Sequence, residues 1–127
     1  MPTAGENRAL LQRYFDLMSA GDDFSACYAE DVVWTDCATG EEFRGRAAVR
    51  EHVLDLHGGA YVERPRGLSL DVTDERAHLE GEFTGGEGPA VPFCLAFDLA
   101  AAPGGVLVAA LRLYLSADRL TPARTST

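Results

Sequence analysis

The feature that most restricts the fold is a change in apolar period near residue 58. Before it, apolar side chains recur at helical spacing: Leu10, Leu11, Tyr14, Phe15, Leu17 and Met18, then Val49, Val53, Leu54 and Leu56. After it they alternate, as in strands with one buried face. The first run predicts a helix over 6–20 that ends at Gly21, and the second a helix over 46–57 stopped by Gly58-Gly59. Between them, Asp22 or Asp23 can cap a short helix over 24–29. Residues 31–36 then form a strand, 37–42 a polar turn containing Gly40, and Phe43-Arg44 the start of a return strand. Further strands are expected at 61–72, 76–84, 91–100 and 106–116. Their turns are Thr73-Asp74-Glu75, Gly85 to Pro89, and Pro103-Gly104-Gly105. Helices followed by an antiparallel meander make an α+β domain in which the helices cover one face of a curved sheet. Such a sheet leaves a cone whose wide mouth suits a ligand.

The length, 127 residues, fits one domain over 1–127 with a disordered tail at about 121–127. A net charge of −9 argues against nucleic-acid and anionic-membrane partners. Glu6, Arg8, Arg13 and Asp16 interrupt any secretory apolar core in the first 20 residues. The most apolar stretch, 90–115, is broken by Asp98, Pro103, Gly104, Gly105 and Arg112, so it reads as two strands around a turn and not as a membrane span. Cys27, Cys37 and Cys94 match no metal spacing, and a reduced, cytoplasmic setting is expected. His52 and His57 stand five apart, which is not the helical spacing of a metal pair, and both are read as solvated or helix-end histidines. All 11 basic residues are arginine, which excludes a lysine Schiff base and a P-loop. With the abundant Ala and Gly, that usage fits a high-GC bacterial genome.

One residue is out of place on apolar grounds. Asp36 follows Trp34, the only tryptophan, by two positions, so the two share a strand face. Two readings of Asp36 stand side by side. It can cap the following turn through the amide of Ala38 or Thr39, or it can act as a general base. Burial in an apolar wall strengthens a carboxylate as a base, and Trp34 supplies such a wall. Tyr14, on the helix face of Leu10 and Leu17, is either core or a hydrogen-bond donor to a developing oxyanion.

Strand parity describes a candidate pocket. If Cys94 points inward, so do Pro92, Ala96 and Asp98; if Phe83 does, so do Leu79 and Gly81, leaving His78, Glu80 and Glu82 outside. On the last strand Leu111, Leu113 and Leu115 are taken as inward, Arg112 and Tyr114 as outward. The pocket is thus apolar, with room at Gly81, Cys94 and Ala96, and suits a hydrophobic small molecule. A nucleophilic Cys94–His78 pair fails on this parity, because the two fall on different faces.

The runs QRYFDLMSAGD (12–22), YAEDVVWTD (28–36) and EEFRGRAAVREHV (41–53) resemble the nuclear transport factor 2-like superfamily, and within it the ketosteroid isomerases and SnoaL-like polyketide cyclases. The resemblance implies a cystatin-like α+β barrel, a cone-shaped curved sheet wrapped by N-terminal helices, commonly a homodimer. It implies no cofactor and no metal. By position, the resemblance matches Asp36 to the family's general base and Tyr14 to its oxyanion donor. Cys94 stands where those isomerases carry a second, protonated carboxyl donor. Asp36, Asp98 and Arg112 supply the residue types of the superfamily's epoxide hydrolases, but with Arg112 outward that set does not assemble. Two functions follow as expectations. One is a cofactor-independent isomerase or cyclase acting on a hydrophobic ketone. The other is a non-catalytic small-molecule binder or accessory dimerisation domain, which the absent second donor favours.

Overall fold

The computed structural model describes residues 2–56, 65–83 and 91–115, with the side chains of Pro65, Arg66 and Phe83 left undescribed. The order is α1 (Ala4–Ala20), a 3-10 turn (Ser25–Cys27), β1 (Tyr28–Asp36), β2 (Glu41–Arg44), α2 (Arg46–Asp55), β3 (Pro65–Val72), β4 (Arg76–Phe83), β5 (Val91–Ala102) and β6 (Gly105–Leu115).

Helix α1 starts at a capping box. Thr3 Oγ1 accepts from the Glu6 amide at 3.2 Å, and Glu6 Oε1 accepts from the Thr3 amide at 3.1 Å. Gly21 ends the helix in the left-handed region at φ 76°, which a side chain would oppose. Asn7, Leu11 and Tyr14 lie one turn apart and are buried. Asn7 is a fully buried polar residue that donates through Nδ2 to the Thr73 carbonyl at 2.9 Å, and Ala4 N donates to Asp74 Oδ1 at 2.9 Å. These two bonds fix the start of α1 on the β3–β4 turn.

The expected short helix over 24–29 shrinks to the 3-10 turn. Asp23 does cap it, accepting from the Ser25 amide and hydroxyl at 3.0 and 2.7 Å. Residues from Tyr28 onward are instead drawn into β1, where Tyr28 pairs with Val108. Helix α2 buries Val49 and Val53 against β1 and β2. Gly58-Gly59, the turn expected over Gly85 to Pro89 and the disordered tail expected at about 121–127 lie outside the described residues.

The six strands form one sheet in the order β2-β1-β6-β5-β4-β3. Strands β3 to β6 are an antiparallel meander as expected, while β1 lies parallel to β6, so the sheet is mixed and its edges, β2 and β3, do not close. Register shifts fall between Tyr28 and Val33, Gly67 and Ser69, and Asp98 and Leu99. Such bulges bend a sheet, and both helices pack on the concave side.

Cross-strand pairing shows which residues share that side. One row runs Trp34, Leu111, Phe97, Ala77; the next runs Asp36, Leu113, Leu95, Leu79. The first row is sealed, with Leu111, Phe97 and Ala77 at 0% exposure. Opening begins in the second, where Leu95 is 8% exposed and Leu79 and Asp36 are half-buried. Asp36 therefore stands on the concave face, near the end where burial loosens.

Phe97 is the centre of the sealed row, so Phe97→Ala should cost about 3–5 kcal/mol. Leu68→Ala, at a side chain 58% exposed, should stay within about 0.5 kcal/mol. Urea unfolding of both variants checks the pair.

Candidate active site

Asp36 ends β1 directly opposite Glu41 of β2. Its Oδ1 accepts from the Ala38 amide at 3.1 Å, which is the turn cap read from the sequence. Among the described residues Oδ2 has no hydrogen-bond donor. The cap thus engages one of the two carboxylate oxygens.

Trp34 lies on that face, 3% exposed, and pairs across the strands with Phe43. A residue that the sequence reading set aside completes the group. The His52 imidazole stacks on Phe43 with centroids 3.9 Å apart and an interplanar angle of 14°. It meets Trp34 edge-on at 5.3 Å. The histidine expected to be solvated or at a helix end does lie in the last turn of α2, but it is half-buried, lodged between two aromatic rings. The signal was available: His52 lies three residues after Val49 and four before Leu56, on the apolar side of α2. Burial holds its imidazole below the ordinary pKa of 6.5, against the opposing pull of Glu41, Asp36 and Asp55. Trp34 Nε1 and His52 Nε2 are buried and have no hydrogen-bond partner among the described residues.

Tyr14 is placed differently from Asp36. Its ring packs on Phe15, Phe24, Tyr28 and Phe97, with centroids 5.6 to 6.2 Å apart. Its hydroxyl lies 2.7 Å from that of Tyr28, and exposure is 1% and 0% for the pair. Burial pushes both phenols up, so both keep their protons. Tyr28 stands eight residues before Asp36 on the same strand, about 25 Å of extended chain. Sequence reasoning missed Tyr28 because it was assigned to the short helix.

The pocket wall needs correction on β5. Phe93, Leu95, Phe97 and Leu99 face the helices, 7%, 8%, 0% and 8% exposed. Cys94, Ala96 and Asp98 lie on the opposite, convex face, paired with Tyr114, Arg112 and Ala110. The expected inward set was therefore the wrong half of the strand: the larger apolar side chains take the core. Leu79, Gly81, Leu111 and Leu113 do lie on the concave side with Trp34. The Phe83 side chain lies outside what is described. Since His78 pairs with Ala96 and Glu80 with Cys94, His78 and Cys94 share the convex face, contrary to the expected parity. Burial, aided by Glu80, pushes the Cys94 thiol up, which disfavours a thiolate nucleophile. Asp98 is held by Arg112 in a two-pronged pair at 2.8 and 3.0 Å, with Arg76 at 3.4 Å. Those bonds hold its carboxyl below the ordinary range. That set lies on the other side of the sheet from Asp36, so no epoxide-hydrolase triad forms. Among the described residues no group of three or more His, Cys, Asp or Glu side chains could hold a metal ion. No described helix is long and apolar enough to cross a membrane.

Comparison with known proteins places this geometry. A profile of the SnoaL-like domain matches residues 11–105. Among solved structures, a de novo designed protein with a curved β-sheet superposes with TM-score 0.73 at 16% identity, covering 95% of this chain and 93% of that one. A protein of Kribbella flavida DSM 17836 provisionally named a ketosteroid isomerase gives TM-score 0.73 at 23% identity, covering 89% and 79%. A nuclear transport factor 2-like protein of unknown function from Pseudomonas putida KT2440 gives 0.71 at 20%, covering 87% and 84%. At these identities the likeness is one of fold. No protein of curated function matches the sequence.

The imidazole gives the site a pH signature. The folded state prefers His52 neutral, while the unfolded chain takes up the proton first as pH falls below the ordinary 6.5. Stability linked to His52 is complete above that value and is lost toward the lower, folded pKa. Between about pH 7.5 and about pH 5.5 the thermal midpoint of the wild type should fall more than that of His52→Gln. Equal slopes in calorimetry would remove the effect.

Proposed function

The chain belongs to the SnoaL-like domain family, and on that premise we propose that it is a cofactor-independent isomerase or cyclase that removes a proton next to the carbonyl of a hydrophobic ketone of polycyclic size. The observation that carries the reading is Asp36: a half-buried carboxylate on the concave strand face that carries Trp34, opposite Glu41, with Oδ1 holding its turn and Oδ2 left for a proton. In the reaction, Oδ2 takes the proton from the carbon next to the carbonyl, and the bonding pair moves into the enolate. Returning the proton at another carbon gives the isomer; attack of the enolate on a second carbonyl gives ring closure. The name given to the Kribbella flavida protein is in keeping with this chemistry. The ligand would lie against Trp34, Leu79, Gly81 and Leu113, with Leu95 where Cys94 and Ala96 were expected and Leu111 beneath as sealed floor.

Tyr14 takes the smaller share. Two hydroxyls hold two protons, and the bond between Tyr14 and Tyr28 uses one. The other can be given to an oxyanion only if a ligand reaches past the present seal. That seal favours a second reading, a non-catalytic binder of an apolar ligand on the same face. The convex face, with Tyr114 46% exposed beside Cys94 and Arg112, is the proposed contact between two copies.

Asp36→Asn keeps the capping oxygen and removes the base. Turnover of a β,γ-unsaturated ketone such as a 3-keto-Δ5-steroid should fall about 10²–10⁴-fold, with binding and thermal midpoint nearly unchanged. Tyr14→Phe should lose less than about 10²-fold. Full activity in Asp36→Asn, measured on the substrate that the wild type turns over, would mean that the residue only caps. For the assembly, light scattering at micromolar concentration should give a dimer mass, and a monomer mass rejects the convex-face contact.

A further inference from the structure

Beside the carboxylates of Asp36 and Glu41, the concave face carries two ring nitrogens that nothing in the described protein satisfies. Trp34 Nε1 can only donate. His52 Nε2 belongs to an imidazole whose burial favours the neutral form, and it can donate in one tautomer. Both atoms are buried and unpartnered. Leaving one such group dry is costly and leaving two is more so. The rings are held, not loose: His52 is stacked on Phe43 and abuts Trp34, whose centroid lies 5.3 Å away. Phe43 and Trp34 are themselves fixed by β1–β2 pairing. What both nitrogens lack is an acceptor, and a ligand oxygen brought against this wall supplies it. Asp36 lies two residues along the same strand face, so an oxygen held there sits beside the proposed base.

We propose that Trp34 and His52 form a polar anchor, two hydrogen-bonding nitrogens in an apolar wall that bind an acceptor oxygen of the ligand, a ketone or enolate oxygen. The assignment deepens the proposed function and rests on its placement of the ligand against Trp34. It also supplies what the sealed Tyr14–Tyr28 pair does not, a donor on the Asp36 side of the core. His52 is then the residue that distinguishes a ketone from a hydrocarbon of the same shape.

The test uses 9-fluorenone and fluorene, nearly isosteric tricyclic probes that differ in one carbonyl oxygen, with the whole chain titrated and binding followed by calorimetry. The wild type should bind fluorenone about tenfold more tightly than fluorene, one hydrogen bond's worth. His52→Phe should erase that preference while leaving fluorene affinity within about twofold. His52→Gln, which restores a donor, should recover part of it. If His52→Phe does not fold, the Gln variant together with Trp34→Phe decides, since Trp34→Phe should reduce the preference in the same way. Equal wild-type affinity for both probes overturns the anchor alone. Equal losses for both probes in the variants show His52 to be packing only, and also overturn it. If neither probe binds, the anchor and the apolar-ligand reading fall together. Asp36→Asn should leave the fluorenone preference in place, so loss of the base reading and loss of the anchor are told apart.

Discussion

The fold is organised around the hydroxyl pair of Tyr14 and Tyr28. Tyr14 comes from α1, Tyr28 from the first residue of β1, and the rings around them come from the 3-10 region and β5. A buried phenol is tolerated only where its oxygen finds a partner, and here each supplies the other. That mutual dependence sets the height of α1 over the sheet. Asn7, two turns earlier on the same face, sets its angle by bonding Thr73. With α1 fixed at both points, the row through Phe97 is sealed and the opening is displaced toward the strand ends that carry Asp36 and Leu95.

The anchoring of Tyr14 bears directly on its chemistry. A side chain that matches a donor position by sequence spends its hydroxyl inside the core. The structural and functional uses of one residue are in tension, and the chain relieves it by keeping both hydroxyl protons and using only one. The site on the other side of Trp34 has the reverse character: its rings are rigid and its nitrogens are unspent.

Much of this was legible in the sequence. Helical spacing of Leu11 and Tyr14, the Gly21 stop and the strand alternation along Leu111, Leu113 and Leu115 each rest on local rules that tertiary packing did not override. So does the turn cap of Asp36, with its oxygen two residues from the amide it accepts. The errors came where a local rule has two solutions. In VPFCLAF every position is apolar, so alternation alone does not say which half is inward; side-chain size does, and Phe93, Leu95 and Phe97 outweigh Cys94 and Ala96. His52 does sit at a helix end, as its place before Gly58 implies, but its spacing from Val49 and Leu56 also places it on the buried stripe. Tyr28 was hidden by a boundary, since a short helix and a strand start competed for the same residues. The parallel placement of β1 beside β6 is non-local and no spacing in the chain encodes it.

The unclosed sheet has a consequence at its rim. Strand β3 is an edge, and an edge with free amides and carbonyls invites another strand. Here Pro65 begins it without an amide hydrogen to offer, and the shift between Gly67 and Ser69 breaks the ladder in its middle. Leu68 remains exposed, but on a backbone that cannot present a long regular row to a newcomer. Growth by strand addition is therefore discouraged along β3. A curved sheet can then stay open on one side, with the width that a ligand cleft needs, without becoming a template for fibrous assembly.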